Sequence, residues 1–327
     1  MTAIVPQRAL LRNKAPHAIE RLRSATLALS CDNRSSEFVM RLMQLWQRFL
    51  ATLILGLATL ATLTTQAAAP STQIYLESMT SPEVRDAVKA GTTTIIIPIG
   101  GTEQNGPHMT LGKHNVRVHA LAGRIAAELK NTLVAPVLAY VPEGSISPPA
   151  AHMKFAGTIS ISDEAFKSLL DSAARSFSQH GFTDIVFIGD HGSYQSQLAA
   201  VADGLNKRWK GTAASSTGAP LRAHFIADYY RTSVAPYTTI LRAKGLTDSQ
   251  IGLHAGSADT SLMLAVDPDQ VRINRINDAA EARYGGPVNG VSGDPRAATA
   301  ALGQLGVDAM VAASVSEIRK ALAQRRQ

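Results

Sequence analysis

The sequence predicts an α/β protein with a mostly parallel central sheet and helices covering both faces. Three observations predict it. Thr94-Ile95-Ile96-Ile97-Pro98-Ile99 and Asp184-Ile185-Val186-Phe187-Ile188 are short apolar runs rich in β-branched residues, the pattern of strands buried on both faces. Each run ends in glycine and a polar loop. Each loop then feeds apolar residues at helical spacing: Val116, Ala120, Leu121, Ile125 and Leu129 in the first case, Leu198, Val201 and Leu205 in the second. Strands alternating with helices build βαβ units, and those units build parallel sheets.

Residues 1–69 read as a leader rather than as folded protein. Arg41 and Arg48 precede residues 49–63, fifteen positions without a charge, and Ala67-Ala68-Ala69 follows. That is the basic region, apolar region and small-residue cleavage site of a secretory signal spanning residues 40–69. The apolar run is shorter than the ~20 residues of a membrane span. Residues 1–39 are expected to be a non-native extension ahead of a start at Met40 or Met43. The expected mature protein is a single domain, residues 70–327, in the periplasm or secreted.

The leader also carries most of the charge excess. Residues 1–69 hold eight Lys/Arg and three Asp/Glu, so their removal drops the net charge from +7 to +2. No basic stripe with interleaved aromatics remains, which excludes nucleic acid as an expected partner. Cys31, the single cysteine, lies in the leader as well, so residues 70–327 offer neither a disulfide nor a thiolate ligand.

The remaining elements follow in order. Ser81-Pro82 predicts a helix start, with Gly91 after its end. Residues 133–140 read as a second strand. Residues 141–157 form a loop with three prolines that carries Glu143, His152 and Phe155. Ser162 caps a helix running to His180. Residues 223–227 read as a further strand, and a helix lies between Leu262 and Asp267-Pro268. Residues 283–297, rich in glycine and proline, are expected to be irregular. Residues 302–325 read as a helix whose basic end suits its dipole.

Three polar loops carry the chemistry: residues 103–114, Asp190-His191, and residues 254–259. In open α/β sheets, ligands bind at the carboxyl ends of strands, where such loops sit. A set of His, Asp and Glu without cysteine suits zinc or manganese rather than an iron–sulfur cluster.

At these residues the chain resembles the creatininase family of metal hydrolases. The family motif E-Q-H-G-P-H-L-P-x-x-T-D is similar to Glu103-Gln104-Asn105-Gly106-Pro107-His108-Met109-Thr110-Leu111-Gly112-Lys113-His114. N-G-H-G-G-N resembles Gly189-Asp190-His191-Gly192-Ser193-Tyr194, and H-A-G-E-x-E-T-S resembles His254-Ala255-Gly256-Ser257-Ala258-Asp259-Thr260-Ser261. F-P-G-T resembles Phe155-Ala156-Gly157-Thr158. The resemblance implies a three-layer αβα fold, a two-metal amidohydrolase site, and a homo-oligomer, often a ring-like hexamer. It assigns metal binding to Glu103 and His191, proton transfer to His254, and an acidic position to Asp259.

The chain departs from the family at the ligands. Asn105 stands for a ligating histidine, His114 for an aspartate that bridges two ions, and Ser257 for a glutamate. A carboxylate has two oxygens and bridges; neutral imidazole has one free lone pair and does not. The expectation is therefore one divalent ion, zinc with manganese as the alternative, held by Glu103, His114, His191 and Asp259. Asn105, His108, His152, Asp190 and Gly192 are expected around it, lining the pocket or supporting the ligands. The expected catalytic residues are His254 and Glu103. Two function classes stand open. One is an exported amidohydrolase that cleaves a cyclic or non-peptide C–N amide bond, of a small amide or lactam, with metal-activated water. The other is a non-catalytic periplasmic binding protein that keeps the scaffold around a decayed site.

Overall fold

The centre of the protein is β1 (Thr94–Ile99), buried at all six positions. It has a parallel partner on each side: β2 (Thr132–Val134) and β3 (Asp184–Gly189). β4 (Arg222–Phe225) pairs with the far side of β3, and the order β2-β1-β3-β4 is parallel throughout. The computed structural model describes residues 73–211, 220–281 and 289–324, within the unit Thr72–Gln327. The leader, residues 1–69, and its cleavage site lie outside the described residues.

Alternation along the two central strands splits the interior in two. Ile95, Ile97 and Ile99 of β1 and Ile185 and Phe187 of β3 face one core. That core is closed by α3 (Asp163–Gln179) and α4 (Gln195–Trp209), with α1 (Ser81–Lys89) at its margin. Ile96, Val186 and Ile188 face the other core, closed by α2 (Lys113–Leu129), α5 (Ala227–Val234) and α6 (Pro236–Ala243). α7 (Asp248–Ile251), α8 (Ser257–Val266) and α10 (Ala300–Gln324) complete that side, and α9 (Ile276–Glu281) follows α8 in the chain. Helices on both faces of a parallel sheet make three layers, as the alternating pattern predicts. No helix among the described residues is long and apolar enough to cross a membrane.

Three boundaries differ from the sequence reading. The second strand ends at Val134, not residue 140. Pro136 has no N–H for the ladder, and contact with β1 resumes only as the isolated bridge Ile99–Leu138. The cap of α1 is Thr80: the Glu83 carboxylate accepts from the Thr80 backbone N–H and hydroxyl at 2.6 and 2.7 Å. Ala227 opens α5 rather than closing β4.

Candidate metal centre

Glu103 follows β1, Glu143 follows β2, and His191 follows β3, so three successive strand ends deliver three polar side chains to one point. His152 comes from a single 3-10 turn, Ala151–Lys154. Donor atoms of Glu103, Glu143, His152 and His191 all lie within 4.8 Å of one another. Close approach at the base of the cluster depends on Gly101. Its φ is +151°, and a Cβ there would stand 2.5 Å from Glu143 Oε1.

The oxygens of this cluster lack ordinary partners. Glu103 Oε2 and both oxygens of Glu143 are buried and accept no hydrogen bond. His152 Nε2 and His191 Nε2 stand 3.1 and 3.4 Å from Glu103 Oε2, at ion-pair distance without hydrogen-bond alignment. Buried carboxylate oxygens are normally satisfied, so such an arrangement calls for a cation between them. His191 is set for that role. Ser193 Oγ donates to the Pro142 carbonyl at 2.8 Å, which leaves it to accept from His191 Nδ1, also at 2.8 Å. The Ser193 N–H also points at Nδ1, at 3.4 Å, but the shorter hydroxyl contact puts the proton on Nδ1 and turns the Nε2 lone pair to the cluster. Two carboxylates and two imidazoles suit zinc or manganese, so the residues present fit a divalent ion.

The electrostatics agree. Burial pushes the Glu143 carboxyl up to about 9, and the negative charge of Glu103 adds to the effect. Burial would raise Glu103 too, but Lys113 and His114 hold it well below the usual carboxylate range. Burial lowers His191 to about 3 and His254 to about 4, so both rings are neutral near pH 7. Burial lowers His152 as well.

The first turns of α2 supply the surroundings. Lys113, His114 and Arg117 all point inward and are buried. His114 is held between two carboxylates, Nε2 to Glu103 Oε1 and Nδ1 to Asp190 Oδ2, each at 2.7 Å. Asp190 also accepts from Arg117 Nε and the Tyr229 hydroxyl. Asp259 is paired with Arg117 Nη1 at 3.0 Å and Lys113 Nζ at 3.4 Å, and it accepts from the Ala255 N–H.

The structure thus gathers Glu103 and His191 from the expected ligand set and adds Glu143 and His152. His114 and Asp259 stand outside the four. Both nitrogens of His114 are occupied by carboxylates, and Asp259 is neutralised by two cations. Asn105 does not turn its amide nitrogen to the cluster but donates it to the Glu103 and Thr110 carbonyls. His108 bonds Thr260 Oγ1 at 2.9 Å. Gly192 is exposed, and a Cβ on it would meet the Tyr230 hydroxyl at 2.5 Å. His254 lies beside the cluster: its Nε2 is 2.9 Å from the Gln104 carbonyl, which fixes the proton there. Its Nδ1 is left 3.7 Å from Glu103 Oε1.

A cavity of about 610 Å³ adjoins these groups, lined by Lys113, His191, His254 and Asp259 among others. Tyr230 is its one aromatic residue besides histidine, and Val234 and the exposed Leu253 lie on its rim. Sequence reasoning passed over the roles of Lys113 and Arg117. The available signal was spacing: Lys113 and Arg117 are four apart, which places them on one helical face beside His114.

Fold and cluster together define an α/β protein with a group of Glu and His side chains at its strand ends that could hold a metal ion. The family model for creatininase, described as creatinine amidohydrolase, matches residues 77–318, and the chain belongs to this family, whose members are metal-dependent amidohydrolases. It is 30% identical over 228 residues to the mycofactocin precursor peptide peptidase of Mycolicibacterium smegmatis, covering 64% of this chain and 78% of that protein. It is 24% identical over 222 residues to the creatinine amidohydrolase of Pseudomonas putida, covering 65% and 80%. The crystal structure of creatinine amidohydrolase shares the fold, with a TM-score of 0.62, 22% identity and coverage of 76% and 98%. Solved creatininase structures include manganese and zinc–zinc forms.

Proposed function

We propose that this protein is a metal-dependent amidohydrolase that cleaves a cyclic or non-peptide C–N amide bond. The observation that carries the reading is the set of buried Glu103 and Glu143 oxygens that accept no hydrogen bond and face His152 and His191. These four residues would hold one divalent ion, zinc with manganese as the alternative. Such an ion lowers the pKa of a water towards ~7 and polarises a carbonyl. In the overall reaction the water oxygen bonds to the carbonyl carbon, the C–N bond breaks, and a water proton passes to the leaving nitrogen. In this reading His254 moves that proton, which is supported by its position on the cavity wall and by its Nε2, not its Nδ1, facing the Gln104 carbonyl. Lys113 and Arg117 keep Glu103, Asp190 and Asp259 ionised without drawing them out of place.

Replacing His191 with Ala is expected to abolish ion binding and hydrolysis together. Activity that survives in a metal-free H191A protein would remove this mechanism, and a purified protein that binds no ion would favour the binding-protein alternative. A peptide bond is the second reading. It is favoured by the relatives named as precursor peptide peptidases and by the apolar rim at Val234 and Leu253. Parallel assays on lactams, small amides and short peptides separate the two.

Export and assembly belong to the same reading. The signal-like segment at residues 40–69 supports a periplasmic or secreted protein of residues 70–327, and family membership supports a homo-oligomer. N-terminal sequencing of the exported protein and light scattering of the purified domain test them. A mature chain starting near Met1, or a monomer, would refute each in turn.

A further inference from the structure

Glu103 uses its two oxygens on two sides. Oε2 faces His152, His191 and Glu143. Oε1 faces away from that group, towards Lys113 Nζ at 3.5 Å, His114 Nε2 at 2.7 Å and His254 Nδ1 at 3.7 Å. Asp259 Oδ2 closes the second side, 3.4 Å from the same ammonium. Two carboxylate oxygens and an imidazole nitrogen therefore frame a second cation position, and a lysine already stands in it. The Lys113 side chain is 1% exposed, yet it lines the cavity.

We propose that Lys113 supplies, as a covalently attached ammonium, the second positive charge of this centre, so that the site takes one divalent ion where zinc–zinc creatininase holds two. The proposal rests on the metal-hydrolase reading above. An ammonium carries three N–H donors. Glu103 Oε1 and Asp259 Oδ2 lie at ion-pair distance from this one, and it also lines the cavity, where it can meet a substrate oxygen. The neighbouring residues fit a single ion. Arg117 shares Asp259 and Asp190, and His114 Nε2 lies 2.7 Å from the Glu103 oxygen that Lys113 faces. A charge that cannot dissociate keeps Glu103 ionised and oriented for the first ion whatever the free metal concentration.

The test is metal counting with a spectroscopic readout. The purified domain, loaded with Mn²⁺ and desalted, is expected to hold one ion per chain, with the six-line paramagnetic resonance of an uncoupled ion. Lys113→Gln should admit a second ion at saturating Mn²⁺ and give an exchange-coupled spectrum. Lys113→Arg, which keeps the charge, should stay at one. Two coupled ions in the unmodified protein would overturn the proposal and leave the hydrolase reading standing. No bound ion at all would overturn both. A folded K113Q protein that still takes one ion would also refute it. If K113Q does not fold, the count and spectrum of the unmodified and K113R proteins decide.

Discussion

Arg117 Nη1 lies 3.0 Å from Asp259 Oδ1, and this contact ties the middle of α2's first turns to the start of α8. The same guanidinium reaches Asp190 beyond β3 through Nε and Nη2. One buried cation therefore joins two of the three polar loops. Arg117→Met removes it and leaves Asp190 to His114 and Tyr229 and Asp259 to Lys113. Breaking a buried pair in this way costs roughly 3–5 kcal/mol. Urea unfolding at pH 7 measures it; a loss under about 1 kcal/mol would show the contact to be incidental.

Glu143→Gln should separate ion binding from folding. Burial and Glu103 hold Glu143 protonated near neutral pH, so a glutamine of the same shape leaves the metal-free protein almost unchanged. With Zn²⁺ at about 100 times Kd, the unmodified protein gains about 2.7 kcal/mol, or about 5–10 °C in Tm. That gain should vanish in E143Q, while the two proteins melt alike in chelator. Equal metal-induced shifts would remove Glu143 from the ligand set.

Acid should weaken the fold in a defined window. His108 is fully buried, and burial together with Lys113 lowers it from 6.5 to about 4. Between those values the unfolded chain carries the proton and the folded one does not, so stability rises with pH across the window. This one ring contributes about 3 kcal/mol, fully present above pH 6.5 and lost as pH falls towards 4. Chemical unfolding at pH 4.5 and 7 should show the slope, and His108→Gln should reduce it by this share while the other buried histidines keep theirs. An unchanged slope in H108Q would assign the effect to other groups.

Creatinine is expected to be a poor substrate. A small flat ring is best gripped between aromatic faces. The cavity offers one tyrosine, Tyr230, while Trp209 is buried at the end of α4. Steady-state assay of the metal-loaded protein should give kcat/KM below roughly 10⁴ M⁻¹s⁻¹. A higher value would overturn this expectation.

The parts legible in the sequence were those that local pattern controls. β1 and β3 are buried on both faces, so their apolar runs announce them, and the loops after them carry Glu103 and His191 in recognisable motifs. β2 was overextended because an apolar run does not reveal where pairing stops, although Pro136 marks the place. α5, α6 and α7 went unread between residues 227 and 251. Their signals were Pro236 at the start of α6 and the Thr247–Gln250 capping box of α7. The role of Glu143 could not be read because it depends on how residues 141–157 fold back over Gly101. The pairing of Asp259 with Arg117 was equally hidden, since the two are 142 positions apart.

Half of the cavity's lining comes from one continuous stretch, Tyr230 to Leu253, which contributes none of the four clustered ligands. The proposed ion site is thus encoded by the loops after β1, β2 and β3, and half of the cavity lining by the segment after β4. That separation makes the protein modular for engineering. Transplanting residues 227–253 from a relative should change which amide is accepted while metal content stays fixed. A chimera that folds but loses its ion would show that the two halves are not independent.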